Sequence, residues 1–549
     1  MTTNSGGEQP NPTTERAERV DVERSLFGGA TYRGLGEQRL SESEERFERR
    51  RRTAGFFLAP LATVVVFLLP LDIPETQHVV AAVMAGVIVA WVTEPIPIPV
   101  SGLIGAALLV LMGLGGDEGA DAVLAPFGSG TVFTFIGAFI LAQAMLRHGL
   151  ARRFAFRILS IPGVTKSTNR VIIAFGLITA LISGWISNTA TVAMLLPTAV
   201  GILGVVGELI QDKYESEGRL KDFDATRMRV GFAMMLMLAY GASVGGLLTP
   251  VGSPPNLIGR ELIEQATGEA LPFGQWMALA FPICALMFVA LVVVLLTLNK
   301  PEIQELRGVD EYVRRQREEL GSMSRAEKNT LVAFGVTVAL WVFPAIVAVV
   351  AGGDSAAYEN VSNRLDEGVA AVLGASLLFM LPVNWKARQF TLTWGDAAKI
   401  DWGTIVLFGS GVVFGTMLEE SGLAETIGKG AYNALGIGSA VAITIFAVVL
   451  AIMVSETTSN TASAAIVVPI IIPLAEAAGT NPFVPALAAT FAASFGFMLP
   501  VSTPQNAIVY GSGTVPITKM VRSGISFDII GAILILILLP LLVPVFGLG

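Results

Sequence analysis

The sequence predicts an all-α polytopic membrane protein with about eleven transmembrane helices and two re-entrant helical hairpins, arranged as an inverted-topology repeat. Three observations carry that prediction. They are the share of apolar residues, the recurrence of apolar runs of spanning length, and a set of polar and Pro/Gly motifs that occurs twice in the same order.

Of 549 residues, 53% are apolar and only 15% charged, and the mean hydropathy is +0.66. That is more apolar surface than a soluble domain can hide from water. Apolar runs fall at 54–71, 79–92, 98–114, 131–146, 230–248, 277–298, 331–350, 369–381, 405–417 and 527–546, each readable as a membrane span. A further apolar stretch at 485–509 and two stretches around Ser-Asn-Thr are interrupted in the middle. The single cysteine, Cys284, lies within one of these runs and offers no disulfide framework.

Residues 1–52 are polar, mix Gly, Glu and Arg, and lack the apolar core of a cleavable signal peptide. They are expected to form a disordered cytoplasmic tail, fixed on that side by the four arginines at 49–52. Threading the chain from there, with each interrupted Ser-Asn-Thr stretch entering and leaving on one face, puts 33 of the 36 Lys and Arg residues on the cytoplasmic side. Arg364 and Lys429 fall outside and Arg260 within a span. Full crossings at those stretches would scatter the basic residues, so the bias favours hairpins, a cytoplasmic N-terminus and an external C-terminus.

The repeat is visible in the residues themselves. "GTVFTFIG" at Gly130 aligns with "GTIVLFGS" at Gly403, and Gly149-Leu150 with Gly422-Leu423, both at an offset of 273; Asn188 aligns with Asn460 at 272. "TPVGSPPNLI" from Thr249 aligns with "LPVSTPQNAI" from Leu499 at 250, the difference of 22 being absorbed by a polar insert near 208–229. The first repeat is read as 53–298 with a hairpin tip near 187–189. A linker follows at 299–328, then a second repeat at 329–549 with a tip near 459–461. Each tip carries a Ser five residues before its Asn and a Pro nine residues after it.

Non-helical backbone at membrane depth survives only where it is buried or lines a watery cavity. Paired broken helices of this kind place their free N–H ends against an anion, while hydroxyls, amides and unwound carbonyls suit a small cation. None of the four motifs contains Lys or Arg. A divalent anion bound there would have its charge offset by helix ends and co-bound cations, which implies cation coupling.

At these residues the chain resembles the divalent anion/sodium symporters. The resemblance rests on "SNTAT" at Ser187, "SETTSNTAS" at Ser455, "TPVGSPPN" at Thr249 and "FMLPVSTPQNAI" at Phe497, and the span pattern extends it over about 54–547. It implies sodium-coupled uptake of C4-dicarboxylates such as succinate, malate or fumarate across the cell membrane, or else dicarboxylate exchange, or transport of citrate or sulfate. The implied substrate cradle comprises Asn188, Thr189, Ser253, Asn460, Thr461, Thr503 and Pro504. One sodium is implied near Ser183, Ser187, Asn188 and the Gly252 carbonyl, and another near Ser455, Thr458, Asn460 and Ser502. A homodimer and an elevator-type movement of a transport domain against a scaffold are implied as well. Gln505 departs from the family pattern, which often has a second Pro there, and Ser455 stands where Thr is expected.

Other function classes find less support. No GxxxxGK[ST] occurs to energise transport with ATP, and no HExxH or GxSxG suggests an enzyme. A channel is the alternative from another class, and no nucleic-acid partner is expected. His78 and His148 lack metal-ligand spacing. Glu456 reads as orienting the second hairpin, with a proton-linked role as the alternative, and Arg260 as pairing with Glu261 or Glu264.

Overall fold

Lipid offers no hydrogen bonds, so a membrane segment must satisfy its own backbone, and a helix does so within one segment. The computed structural model describes Val22, residues 42–352 and residues 355–548, and is mostly helical. Among these residues, eleven helices are long and apolar enough to cross a membrane. The number matches the expectation but the membership does not. Ile98–Leu111, Glu367–Met380 and Phe483–Ala492 fall short of a full span, whereas Asn188–Ser216, Ala440–Thr457 and Asn460–Ala477 qualify. The Ser-Asn-Thr residues lie at helix ends rather than mid-helix, so each flanking helix is an unbroken apolar segment.

Among the described residues the helix Glu42–Leu68 comes first after Val22, and it begins inside the segment expected to be a disordered tail. Arg51 and Arg52 of this helix lie 3.4 and 3.8 Å from Glu94 at the end of Glu75–Thr93. The remainder of that tail, Val22 excepted, lies outside the described residues. Ile98–Leu111 and Gly130–Arg147 follow. Much of Glu42–Leu68 is exposed, and Phe56, Phe57, Leu61, Val64 and Phe67 cover its outer face, the character of a helix against lipid.

Gly130–Arg147 and Trp402–Glu420 each end in a turn through a glycine of positive φ, Gly149 at 68° and Gly422 at 74°, a conformation that costs other residues energy. Each turn leads into an amphipathic helix, Leu150–Leu159 or Leu423–Leu435. The aligned Gly-Leu pairs of the sequence are thus the same corner built twice. The longer first copy also has its explanation. Asn188–Ser216 runs on into two short turns at Leu220–Asp222 and Ala225–Arg227, where Asn460–Ala477 has no counterpart.

Arg229–Gly246 forms the centre of the molecule, with every residue from Val230 to Gly246 buried. Phe273–Leu298 packs beside it and against Ile517–Val545, which meets the central helix at Tyr240, whose hydroxyl lies 3.2 Å from the Met520 carbonyl. The segment after 298, read as a linker, holds the helix Val309–Leu320, with Val309 and Val313 buried. Arg153 clasps the end of that helix through the Leu320 and Gly321 carbonyls and pairs with Glu327 at 2.6 Å. Glu367–Met380 packs on Gly130–Arg147, and a two-stranded turn, Pro382–Asn384 with Gln389–Phe390, leads on to Trp402–Glu420.

Candidate functional site

Two helix pairs supply the tips. Thr168–Ser183 and Asn188–Ser216 are joined by residues 184–187, and Ala440–Thr457 and Asn460–Ala477 by residues 458–459. At each tip a serine caps the second helix: Ser187 Oγ accepts from the Ala190 N–H at 3.4 Å and Ser459 Oγ from the Ala462 N–H at 3.2 Å. Capping leaves Asn188 and Asn460 as first helical residues, at the electropositive end. Ser183 Oγ donates to Asn188 Oδ1 at 2.6 Å, and Ser455 Oγ donates to Asn460 Oδ1 at 2.8 Å. The five-residue Ser-to-Asn spacing is therefore a hydrogen bond across each tip.

Two broken helices supply the rest. Arg229–Gly246 and Pro254–Thr267 are separated by 247–253, and Phe483–Ala492 and Pro504–Gly511 by 493–503. Asn256 Nδ2 donates to the carbonyls of Gly246 and Thr249 at 2.7 and 2.8 Å; Asn506 Nδ2 donates to those of Gly496 and Leu499 at 2.7 and 3.1 Å. One amide in each repeat thus satisfies two carbonyls that the break would leave orphaned in a buried place. The second half-helix starts at a proline, which has no N–H to leave unsatisfied. Gln505, the departure from the family pattern, is buried and donates to Ser243 Oγ at 2.9 Å, tying the second break to the central helix.

All four helix starts meet at one cavity of about 470 Å³. Its walls include Ser187, Asn188, Thr189, Ser253, Pro254, Ser459, Asn460, Thr461, Pro504 and Gln505. Of the expected substrate residues, Thr503 is the one outside this lining; its hydroxyl caps Pro504–Gly511 by accepting from the Asn506 N–H at 3.3 Å. Ser253 makes no such cap, which leaves its hydroxyl available. A second cavity, between Glu42–Leu68 and Ile98–Leu111, is lined mainly by apolar groups such as Phe56, Val83, Val87 and Leu108 and carries no comparable chemistry.

Oxygen atoms crowd behind each tip. A Cβ added to Gly252 would lie 2.6 Å from the Gly246 carbonyl oxygen and 3.0 Å from that of Gly184, and one added to Gly246 would lie 2.5 Å from Asn188 Oδ1. In the second repeat Ser455 Oγ also donates to the Ala493 carbonyl at 2.8 Å, and Asn460 Nδ2 to that of Ser494 at 3.4 Å; a Cβ on Gly496 would lie 3.1 Å from Asn460 Oδ1. Ser502 Oγ donates to the Glu456 carbonyl at 2.9 Å and its carboxylate at 2.6 Å. Hydroxyl, amide and carbonyl oxygens beside these glycines, with the Glu456 carboxylate bonded to Ser502 in the second repeat, are of the kind that suits a sodium ion. The structure brings Ser183, Asn188 and Gly252 together, and likewise Ser455, Asn460 and Ser502. The Ser187 hydroxyl is engaged in its cap and that of Thr458 donates to the Val454 carbonyl at 2.7 Å, so both are turned to their own helices.

Glu456 accepts from the Met498 N–H at 2.7 Å as well as from Ser502, which joins the second tip to the second break. Arg260 pairs with Glu264 at 2.9 Å, as one reading of the sequence has it, and also with Glu367 at 2.7 Å. Glu261 instead accepts from Thr131 at 2.6 Å.

The matches to known proteins follow this geometry. The family model described as the sodium:sulfate symporter transmembrane region matches residues 51–546. The chain belongs to the sodium:sulfate symporter family. That is the divalent anion/sodium symporter group the motifs resemble, and it makes the chain a membrane transporter rather than an enzyme. A sodium-dependent dicarboxylate transporter of Staphylococcus saprophyticus is 30% identical over 497 residues, covering 89% of this chain and 91% of that protein. A sodium-dependent dicarboxylate transporter of Staphylococcus aureus is 29% identical with the same coverage. The solved structure of Neisseria gonorrhoeae MtrF, described as illuminating a class of antimetabolite efflux pumps, covers 89% of this chain and 98% of its own with a TM-score of 0.52 and 14% identity. It shows a likeness of fold alone.

Four polar residues of the cavity have no role assigned by motif: Gln143, Lys399, Asp401 and Thr404. Lys399 counts in the sequence only as one more basic loop residue. Thr404 lies in the repeated "GTIVLFGS", a signal of position but not of role.

Proposed function

We propose that the chain is a sodium-coupled secondary active transporter of C4-dicarboxylates such as succinate, malate and fumarate, working in the cell membrane as a homodimer. The observation that carries this reading is the convergence of four helix N-termini, from two Ser-Asn-Thr tips and two Pro-containing breaks, on one cavity. Helix dipoles at all four starts, with backbone N–H groups at the two tips, favour an anion there. The oxygen clusters behind Asn188 and Asn460 offer seats for sodium. Each asparagine then serves both cargoes, since its helix start faces the anion and its Oδ1 faces the cation cluster. Sodium binding organises the tip that the anion needs, and the anion's charge favours the sodium. This mutual dependence is the coupling.

In the same reading the helix pairs are re-entrant hairpins that enter from opposite faces, and the two halves form an inverted repeat. The matched Ser-to-Asn bonds, asparagine staples and glycine corners support it, as does the distribution of basic residues. The dicarboxylate preference is supported by the names of the staphylococcal relatives.

Uptake of labelled succinate, citrate and sulfate into proteoliposomes, with and without an inward sodium gradient, tests the proposal. Succinate uptake is expected to require the gradient. Uptake indifferent to sodium but accelerated by internal dicarboxylate would replace symport by exchange, and steady single-channel current in a bilayer would replace it by a channel.

A further inference from the structure

The tips and breaks present hydroxyls, amides and N–H groups to the cavity. The facing wall is different. There the lining includes Lys399, the one positively charged side chain among the described residues that line the cavity, and Asp401, the one acid. Asp401 is engaged locally: its carboxylate accepts from the Thr404 N–H at 3.1 Å and the Thr404 hydroxyl at 2.6 Å, capping Trp402–Glu420. Lys399 is held more loosely. Its ammonium lies 3.7 Å from Asp396 Oδ1, beyond hydrogen-bond length, and its side chain is 68% exposed. Asp396 does not depend on it, because that carboxylate already pairs with Arg147 and accepts from the Thr393 hydroxyl and N–H. A point charge on a flexible stem is thus poised at a binding cavity without a partner that needs it.

We propose that Lys399 selects doubly charged over singly charged anions by meeting the carboxylate that the helix N-termini do not reach. The inference rests on the proposed function and deepens it. An extended C4-dicarboxylate keeps its two charges several ångströms apart, so when one sits among the helix starts of Asn188, Pro254, Asn460 and Pro504 the other points toward the facing wall. Helix ends and sodium ions act at the first carboxylate. The second meets a wall that includes Gln143, Asp401, Thr404 and Lys399, and among these the lysine alone offers a positive charge. The Coulomb term scales with ligand charge. It also falls with distance, so removing the lysine weakens a dianion, whose second carboxylate lies beside it, more than a monoanion whose one carboxylate stays among the helix starts.

The test is the affinity of purified protein, at saturating sodium, for succinate and for succinamate, its singly charged monoamide of nearly the same shape. Titration calorimetry on the wild type, Lys399→Gln and Lys399→Arg reads both. The expected result is that Lys399→Gln weakens succinate about tenfold and succinamate distinctly less, and that Lys399→Arg restores both. An unchanged succinate affinity in Lys399→Gln would leave the lysine a solvated partner of Asp396 and overturn the proposal. An equal loss for both ligands would mean a local distortion and would overturn it too. Because binding is read separately from flux, a wild type that binds succinate but moves it without sodium would count against sodium coupling and not against this role of Lys399.

Discussion

Asn188 and Asn460 each accept a serine hydroxyl at Oδ1 while starting a helix at the cavity. Neither repeat can cover for the other, because each tip contributes its own helix end and its own oxygen cluster. Asn188→Ala and Asn460→Ala should each reduce sodium-driven succinate uptake by about 30-fold or more, the equivalent of losing about 2–3 kcal/mol of buried polar interaction. Size-exclusion profiles of both variants should stay those of the wild type, and near-normal uptake by either at saturating sodium would dismiss the twin-tip reading. The glycines behind the tips give a graded counterpart. A Cβ on Gly246 would press on Asn188 Oδ1 at 2.5 Å, whereas one on Gly496 meets Asn460 Oδ1 at 3.1 Å. Overpacking of this kind costs on the order of 1–3 kcal/mol, so Gly246→Ala should raise the half-saturating sodium concentration about tenfold and Gly496→Ala distinctly less. Equal effects, or none, would place the sodium away from these glycines.

At the scale of elements, the asparagine staples decide whether the breaks hold. Asn256→Ala frees the carbonyls of Gly246 and Thr249, and Asn506→Ala those of Gly496 and Leu499, in surroundings where both asparagines are fully buried. Leaving such groups unpaired costs about 1–3 kcal/mol each. Both variants should therefore unfold at lower temperature than the wild type in detergent, whether or not sodium is present; unaltered unfolding would show that the breaks keep their shape by packing alone. The tips and breaks were legible in the sequence because their chemistry is local. Ser183 reaches Asn188 and Asn256 reaches Gly246 within ten residues, and a motif of that length records the whole interaction. The wall facing them was not legible. Lys399, Asp401 and Thr404 reach the cavity because Trp402–Glu420 packs against distant helices, and Arg260 finds Glu367 across 107 positions. Helix length is equally silent on role, since a polar tripeptide in an apolar stretch does not say whether it lies at the middle of a helix or between two.

At the scale of the molecule, the cavity has two walls of different origin. The tips and breaks form one; Gly130–Arg147 and the start of Trp402–Glu420 form the other. If the first wall slides past the second to carry its cargo across, contacts between them must break in each cycle. Two such contacts are specific and polar. Arg260, on the half-helix after the first break, holds Glu367 through both guanidinium nitrogens at 2.7 and 3.2 Å, and its neighbour Glu261 accepts from Thr131 at the start of Gly130–Arg147. Glu367 in turn begins Glu367–Met380, which packs along Gly130–Arg147. A charge pair buried to this degree is costly to separate unless both partners find other company, so the pair favours the arrangement seen here and must be exchanged in the other. Covalent linkage at this place should consequently arrest transport. In a Cys284→Ala background, Arg260→Cys with Glu367→Cys, joined by a short bifunctional thiol reagent with a reducible spacer, is expected to lose sodium-driven succinate uptake and to regain it on reduction. Each single-cysteine variant should be indifferent to the reagent, and the reduced double variant is its own reference for the missing ion pair. Binding of succinate should survive the linkage, because the cavity is already formed in this arrangement. If the linked protein transports as fast as the reduced one, the two walls do not slide past each other at Arg260 and Glu367, and access to the two sides has to alternate by smaller movements of the tips themselves.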